Sequence, residues 1–375
     1  MANIFDYLTW RGDLTLAQSE FNEIDNLILA RFSYFPFDHI LNKDEIITMK
    51  EAQKRWARLE LEKENILQKE DIDLFPQMAK SVRFSDMKMT KYVNKINLEE
   101  EKQFGAITIL MPDDTIYVSF RGTDNTLVGW KEDFNMSFRE KVPSQLEAVS
   151  YLNEIACQYP NPLRVGGHSK GGNMAVYASS FCKESFKERI INVYNNDGPG
   201  FHEAIIENPK YQRMLEKVHT YVPQTSIIGR LLYHEENYTV IQSTQKGVMQ
   251  HDLYTWQLEG KEFIHLKEVD KGSKFMDKAI KQWLDEVSKE QREAFINQIF
   301  EILQVTEADT LTKMRENWLK NAKVLMETYK NMDEETKKMM TQTIEALFII
   351  IKNNMMEKLK PTDKRKKINK KEGEN

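Results

Sequence analysis

The sequence predicts an α/β fold with a mostly parallel central sheet, carrying helical additions at its N-terminal and C-terminal ends. Three observations lead there. Between about residues 80 and 260, short apolar runs alternate with helical patterns, the texture of an α/β domain. A glycine-rich corner inside that region, LRVGGHSKGGNMAVYAS at 163–179, joins a short β-like run to a helical one. Residues 1–75 read as mainly helical, and from about Lys271 onward β-like runs disappear.

In chain order, the helical N-terminal segment 1–75 ends in the charged run 50–73, which fits a solvated helix face. The α/β domain spans 76–268. Its first strands, 106–110 (AITIL) and 115–120 (TIYVSF), are β-rich and separated by a turn-forming MPDD. Residues 142–159 place Leu146, Val149, Leu152, Ile155 and Ala156 at helical spacing, and Pro160 and Pro162 end that helix. A short strand at 163–166 precedes the corner, and 190–194, 218–222 and 238–243 are further strands. A C-terminal extension, 269–360, holds three helical stretches. In the last, Ile344, Leu347, Phe348, Ile351 and Met355 form one apolar face expected to pack on the other helices or the core. Residues 361–375 read as a disordered basic tail, within an end (352–375) that has nine Lys/Arg against four Asp/Glu.

Composition excludes several function classes. With 375 residues, 30% charged, 41% hydrophobic and net charge −5, the chain fits a soluble globular protein and no nucleic-acid partner. MANIFDYLTWRGD lacks a basic region followed by an apolar one, and no apolar run approaches the ~20 residues of a membrane span, so no integral span and a cytoplasmic location are expected. Cys157 and Cys182 lack CxxC spacing and support neither a metal site nor a disulfide; both are expected to be small core residues. No cofactor or metal is expected, and oligomeric state is not read from the sequence.

The chemistry centres on Gly167-His168-Ser169-Lys170-Gly171, a G-x-S-x-G pentapeptide. A serine at a sharp strand-to-helix turn sits in strained backbone, so its neighbours two residues away must be very small. Gly167 and Gly171 meet that demand. The helix beginning under Ser169 offers N–H groups to a developing oxyanion. A serine hydroxyl requires a base, usually a histidine oriented by a carboxylate, in the chain order Ser, acid, His. Of seven histidines, His39 is upstream, His168 is inside the elbow, His202 and His219 follow too soon, and His265 is near the domain's end. His234 and His251 remain, and His251 follows the last good strand. For the acid, Asp197 in VYNNDGPG directly follows a strand, with an Asx-turn as its structural reading; Asp252 adjoins His251 and is a poorer choice.

SFRGTDNTLVGWKEDF (119–134) and VGGHSKGGNMAVYAS (165–179) together resemble the class 3 lipase group of α/β-hydrolases. More closely, the chain resembles a family of bacterial lipase-like proteins (Mbeg-like), a domain of unknown function. The shared pattern is Phe120-Arg121-Gly122-Thr123, Trp130 with Asp133, then Gly167 to Gly172. The resemblance implies an α/β-hydrolase fold, Ser169 as nucleophile, and His251 as base. It also implies an oxyanion hole from the backbone N–H groups of Thr123, often helped by its hydroxyl, and Lys170. The departure is the acid: in class 3 lipases it follows the strand equivalent to 218–222, where this chain reads TYVPQTSIIGRLL and has Ser226 near the expected place. Lys170 also stands where lipases carry an apolar residue, its side chain solvated or functional.

Two functions follow. One is a serine hydrolase acting on small-molecule or lipid acyl esters through Ser169, His251 and Asp197. The other is a catalytically inactive α/β-hydrolase-fold binding or scaffold protein. The intact elbow favours the first, and the missing acid at its usual place favours the second.

Overall fold

The computed structural model of the chain describes residues 2–42, 44–59, 66–306, 308–316 and 318–359. Its strands are β1 (Ile47–Thr48), β2 (Lys88–Asn97), β3 (Lys102–Leu110), β4 (Ile116–Arg121), β5 (Leu163–His168), β6 (Ile190–Asn196), β7 (Val218–Pro223) and β8 (Tyr238–Ile241), then β9 (Leu258–Glu259), β10 (Glu262–Phe263) and β11 (His265–Leu266). One nine-stranded sheet runs β1-β2-β3-β4-β5-β6-β7-β8-β11, and β9 and β10 pair separately. The five strands β4 to β8 are parallel, and antiparallel strands flank them on both sides. This is an α/β fold.

The parallel order follows from the connections. The helices Leu127–Asn135 and Pro143–Gln158 link β4 to β5, and Lys170–Phe181 lies between β5 and β6. Helical crossovers of this kind return the chain to the same edge, so every parallel strand ends on one side.

Each face of the sheet buries its own core, as period-two alternation requires. On one face Ile107, Ile109 and Tyr117 join Ile4, Leu27, Ile28, Phe32 and Phe75 from the N-terminal helices. On the other, Ala106, Ile116, Val118 and Phe120 meet Leu152, Ile155, Met174 and Val176. The N-terminal helices are Ile4–Arg11, Glu23–Phe32, Met49–Trp56 and Asp71–Lys80, the last crossing the expected boundary at 75/76. Their apolar layer contains two ion pairs. Arg83 donates from Nε to Asp25 Oδ1 at 2.6 Å, and Tyr7 and the Asn22 backbone also bond this carboxylate. Arg31 donates from Nε to Asp71 Oδ1 at 2.6 Å.

Several expectations change. The C-terminal extension has five helices among the described residues, Lys271–Glu286, Lys289–Gln304, Leu311–Glu316, Trp318–Asn331 and Glu334–Leu359, where three were expected. Its last helix buries Met340, Thr343 and Ile350, while Ile344 is 42% and Phe348 66% exposed. Ile344 and Phe348 of the expected stripe are therefore not on the face that packs. The side chains of Leu347, Ile351 and Met355 and the tail 361–375 lie outside the described residues. Cys182 is buried as expected, but Cys157 is exposed. It sits off the stripe that its helix buries through Leu152, Ile155 and Ala156.

Breaking one buried pair tests how tightly the N-terminal layer is built in. Arg83→Met leaves the Asp25 carboxylate buried without its cation and is expected to cost about 3–5 kcal/mol. Urea denaturation of Arg83→Met, compared with the double variant Asp25→Leu/Arg83→Met, measures it; the double variant is expected to recover part of the loss.

Candidate active site

The C-terminal ends of β4, β5 and β6 converge on the elbow. Ser169 caps the helix Lys170–Phe181 with φ 58° and ψ −133°, a left-handed strain that this turn imposes. The turn is possible because two backbones nearly touch. A Cβ on Gly167 would lie 2.4 Å from the Gly171 carbonyl oxygen, and one on Gly171 would lie 2.2 Å from the Phe120 carbonyl oxygen. Ser169 N donates to Asn196 O at 3.0 Å, tying the elbow to β6. Lys170 begins the helix, where N–H groups have no intrahelical partner.

His251 Nδ1 and Asp197 Oδ2 lie 2.7 Å apart. His251 ends the turn Gly247–His251 and lines the same cavity as Ser169, whereas Asp197 is buried just past β6 with φ 53°. The Ser226 hydroxyl donates to Asp197 Oδ1 at 2.5 Å. The residue standing where the acid was expected after β7 thus holds the carboxylate that comes from β6. The competing residues go elsewhere. His234 pairs with Glu236 at 2.9 Å, and Asp252 accepts from Tyr254 N at 3.0 Å, as a turn cap. Burial works against the Glu236 charge, but its bonds to His234 and Tyr211 hold the carboxyl down at about 2.

Thr123 follows β4 and also lines the cavity. Its hydroxyl donates to Asp133 at 2.5 Å, so its proton is committed there and the backbone N–H is the group left for an oxyanion. Lys170 is not solvated. At 1% exposure its ammonium donates to Glu132 and Gln103 Oε1 at 2.8 Å each and to Gln103 O at 3.0 Å. A buried ammonium requires such partners, and Glu132 is itself held by the N–H groups of Gln103 and Ser144. Burial pushes the Asp133 carboxyl up to about 6, against the pull of the Lys170 charge.

Sequence reasoning set His168 aside as part of the elbow, yet it braces His251. Its Nε2 donates to the His251 carbonyl at 2.8 Å, the Tyr34 hydroxyl lies 3.2 Å from Nδ1, and the two imidazole rings are 4.4 Å apart. Burial, with His251 and Arg31 nearby, pushes its pKa well below the usual histidine range, so it is neutral at pH 7. Farther out, Tyr254 donates to Asp71 Oδ1 at 2.7 Å, fixing the segment after His251 to the Arg31–Asp71 pair. Tyr34, Glu132 and Asp71 carried no sequence signal beyond the need of a buried cation for a carboxylate.

The cavity over these groups measures about 700 Å³. Arg31, in the helix Glu23–Phe32, and Tyr34, just past it, line it from the N-terminal segment, and Trp283 and Ile296 from the C-terminal extension. Among the described residues, no cluster of His, Cys, Asp and Glu could hold a metal ion, and no helix is long and apolar enough to cross a membrane.

The sequence profile of the Mbeg1-like family matches residues 78–301. The chain belongs to the Mbeg1-like family. That match takes in the elbow, His251, Asp197, the first helix of the extension and most of the second of this Mbeg1-like chain. No curated protein sequence matches it. Similar solved structures include lipase II from Rhizopus niveus, 16% identical over 64% of this chain and 80% of that one, with a TM-score of 0.34. A propeptide complex of Rhizomucor miehei lipase is 16% identical over 47% and 70%, with a TM-score of 0.34. A mutant form of MDLA from Penicillium cyclopium is 13% identical over 66% and 86%, with a TM-score of 0.38.

Two outcomes follow from this geometry. Gly171→Ala forces a Cβ into the backbone of β4 and is expected to lower stability by about 1–3 kcal/mol, read by thermal unfolding. Asp133 retains its proton in the folded state up to about pH 6, against an ordinary value near 3.8, so its contribution to stability falls as pH rises through that window. Asp133→Asn removes this term. The stability of the variant relative to the parent is expected to rise between pH 4 and pH 6.5, measured by urea denaturation across that range.

Proposed function

We propose that this chain is a serine hydrolase that cleaves carboxylic esters of lipids or other acyl compounds through Ser169, His251 and Asp197. The observation that carries the reading is the 2.7 Å contact from His251 Nδ1 to Asp197, on a histidine that shares its cavity with a serine held at positive φ. With Nδ1 on the carboxylate, Nε2 is the nitrogen left to take the Ser169 proton.

The Ser169 oxygen attacks the ester carbonyl carbon as its proton passes to His251 Nε2. Negative charge on the carbonyl oxygen is met by the N–H groups of Thr123 and Lys170, the second at a helix N-terminus. Asp197 keeps the imidazole oriented and stabilises its charged form. His251 then returns the proton to the departing alkoxide, and Ser169 holds the acyl group. Water, deprotonated by His251, attacks that acyl-enzyme; collapse releases the acid and restores the serine.

The inactive-scaffold reading drew its support from the missing carboxylate after β7. The Ser226–Asp197 bond supports the catalytic reading, because a carboxylate reaches the histidine from β6 and the β7 position serves it.

A fluorophosphonate probe is expected to label the intact protein and to leave Ser169→Ala unlabelled. Ester turnover is expected to fall on the order of 10⁴-fold in Asp197→Asn, as when a triad carboxylate can no longer fix the histidine tautomer. An intact protein that takes no label and turns over no ester sinks the proposal; unchanged turnover in Asp197→Asn removes that residue from the mechanism.

A further inference from the structure

We propose that the C-terminal extension is the acyl-binding wall of this site, and that Trp283 and Leu284 set the length of the acyl chain accepted. The proposal rests on the hydrolase reading for its chemistry, but the wall can be tested without it. The helix Lys271–Glu286 reads KGSKFMDKAIKQWLDE and is rich in charge, as a surface helix is. Yet the residues that the extension turns into the cavity are Ile280, Trp283, Leu284, Phe295, Ile296 and Leu311, every one apolar. The α/β core supplies the polar side of the cavity, with Ser169, His251 and Thr123, together with apolar residues such as Ile228, Leu231 and Val248. A cavity of about 700 Å³ whose polar groups lie on the core side and whose extension side is wholly apolar fits an ester whose carbonyl lies against the core and whose hydrocarbon chain runs along the extension.

The wall is fixed in place. Trp283 Nε1 donates to the Thr343 carbonyl at 3.2 Å, so the indole is held by the last helix. Arg230, beside the cavity-lining Leu231, pairs with Asp277 at 2.7 Å, and Ser273 donates to the Ser226 carbonyl at 2.7 Å, next to the hydroxyl that holds Asp197.

The wall also joins the oxyanion loop directly. Leu127 N donates to Asp309 O at 2.9 Å and Leu311 N to Asn125 O at 3.0 Å, an antiparallel bridge that extends the backbone carrying Thr123 into the extension. Leu127 and Phe138 pack with Ile296 and Phe300 beneath it. An alkyl chain leaving the carbonyl at Thr123 meets this surface first, and each methylene it buries there is worth about fourfold in affinity until the cavity is filled.

The test uses the full chain and two readouts. In Ser169→Ala, methyl octanoate binding reports the cavity without reaction; adding Leu284→Trp is expected to weaken it about tenfold or more. In the parent background, the ratio of kcat/KM for octanoate over acetate esters is expected to fall likewise in Leu284→Trp, and the preferred chain to lengthen in Trp283→Ala. The proposal is overturned if both substitutions, at unchanged thermal stability, leave octanoate binding within twofold and the chain-length profile unmoved. Should Leu284→Trp misfold, Trp283→Ala alone decides. If octanoate binding responds as expected while Ser169 takes no fluorophosphonate, the wall stands and the hydrolase reading falls.

Discussion

The site depends on one steric constraint, the approach of β4 and β5 to the start of the helix that follows β5. The Phe120 carbonyl, Gly167 and Gly171 occupy a space that admits no Cβ. At Gly122 the same limit recurs, since a side chain there would strike the His168 carbonyl at 2.5 Å and the Tyr34 hydroxyl at 2.2 Å. The F-R-G-T and G-H-S-K-G segments are therefore two halves of one packed object. Their contact throws Ser169 to positive φ and brings Thr123 alongside it, and relaxing either backbone would separate the Ser169 side chain from the Thr123 backbone N–H.

Charges buried around this contact hold it in register. A buried ion pair is seldom a net gain over apolar packing, but it is costly to break and specific in direction. The Lys170 ammonium, next to Ser169, is coordinated by Glu132 and Gln103, which ties the elbow helix to β3 and to the helix Leu127–Asn135. On the opposite face of the sheet, Arg31 and Asp71 hold Tyr254, three residues after His251, and Tyr34 holds His168 beneath it. The N-terminal helices are thereby part of the site's support as well as of the core.

Much of this was legible because local rules and tertiary structure agree. The strands 106–110, 163–166, 190–194 and 218–222 were placed within one to four residues of their observed bounds, since each is a β-rich run between turn residues and buried in the sheet. β2 was missed because Lys88, Lys95 and Asn97 give it the polarity of a loop, and a positive φ at Lys91 with a shift in register interrupts its alternation. The Lys170 side chain could not be placed because lysine at a helix start is ordinarily solvated; what buries it comes from residues 38 and 67 positions away. Two positions of the last helix's apolar stripe differ for a related reason. Amphipathic periodicity gives the direction of greatest apolarity, but packing chose Met340, Thr343 and Ile350 over Ile344 and Phe348.

Asp197 and Ser226 show how two neighbouring strands can share one position beside a histidine. Adjacent parallel strands lie about 4.8 Å apart, less than the reach of an aspartate plus an imidazole. A carboxylate just after β6 can therefore approach the same Nδ1 as one just after β7, provided its own backbone turns toward the neighbouring strand. Asp197 does so at φ 53°, with its N–H bonded to the Tyr221 carbonyl of β7. A second carboxylate at the β7 position would then face the first across that short gap and repel it. Ser226 removes this conflict by supplying a hydroxyl that donates where a carboxylate could only accept. The serine after β7 and the aspartate after β6 are thus two parts of one hydrogen-bonded arrangement around His251.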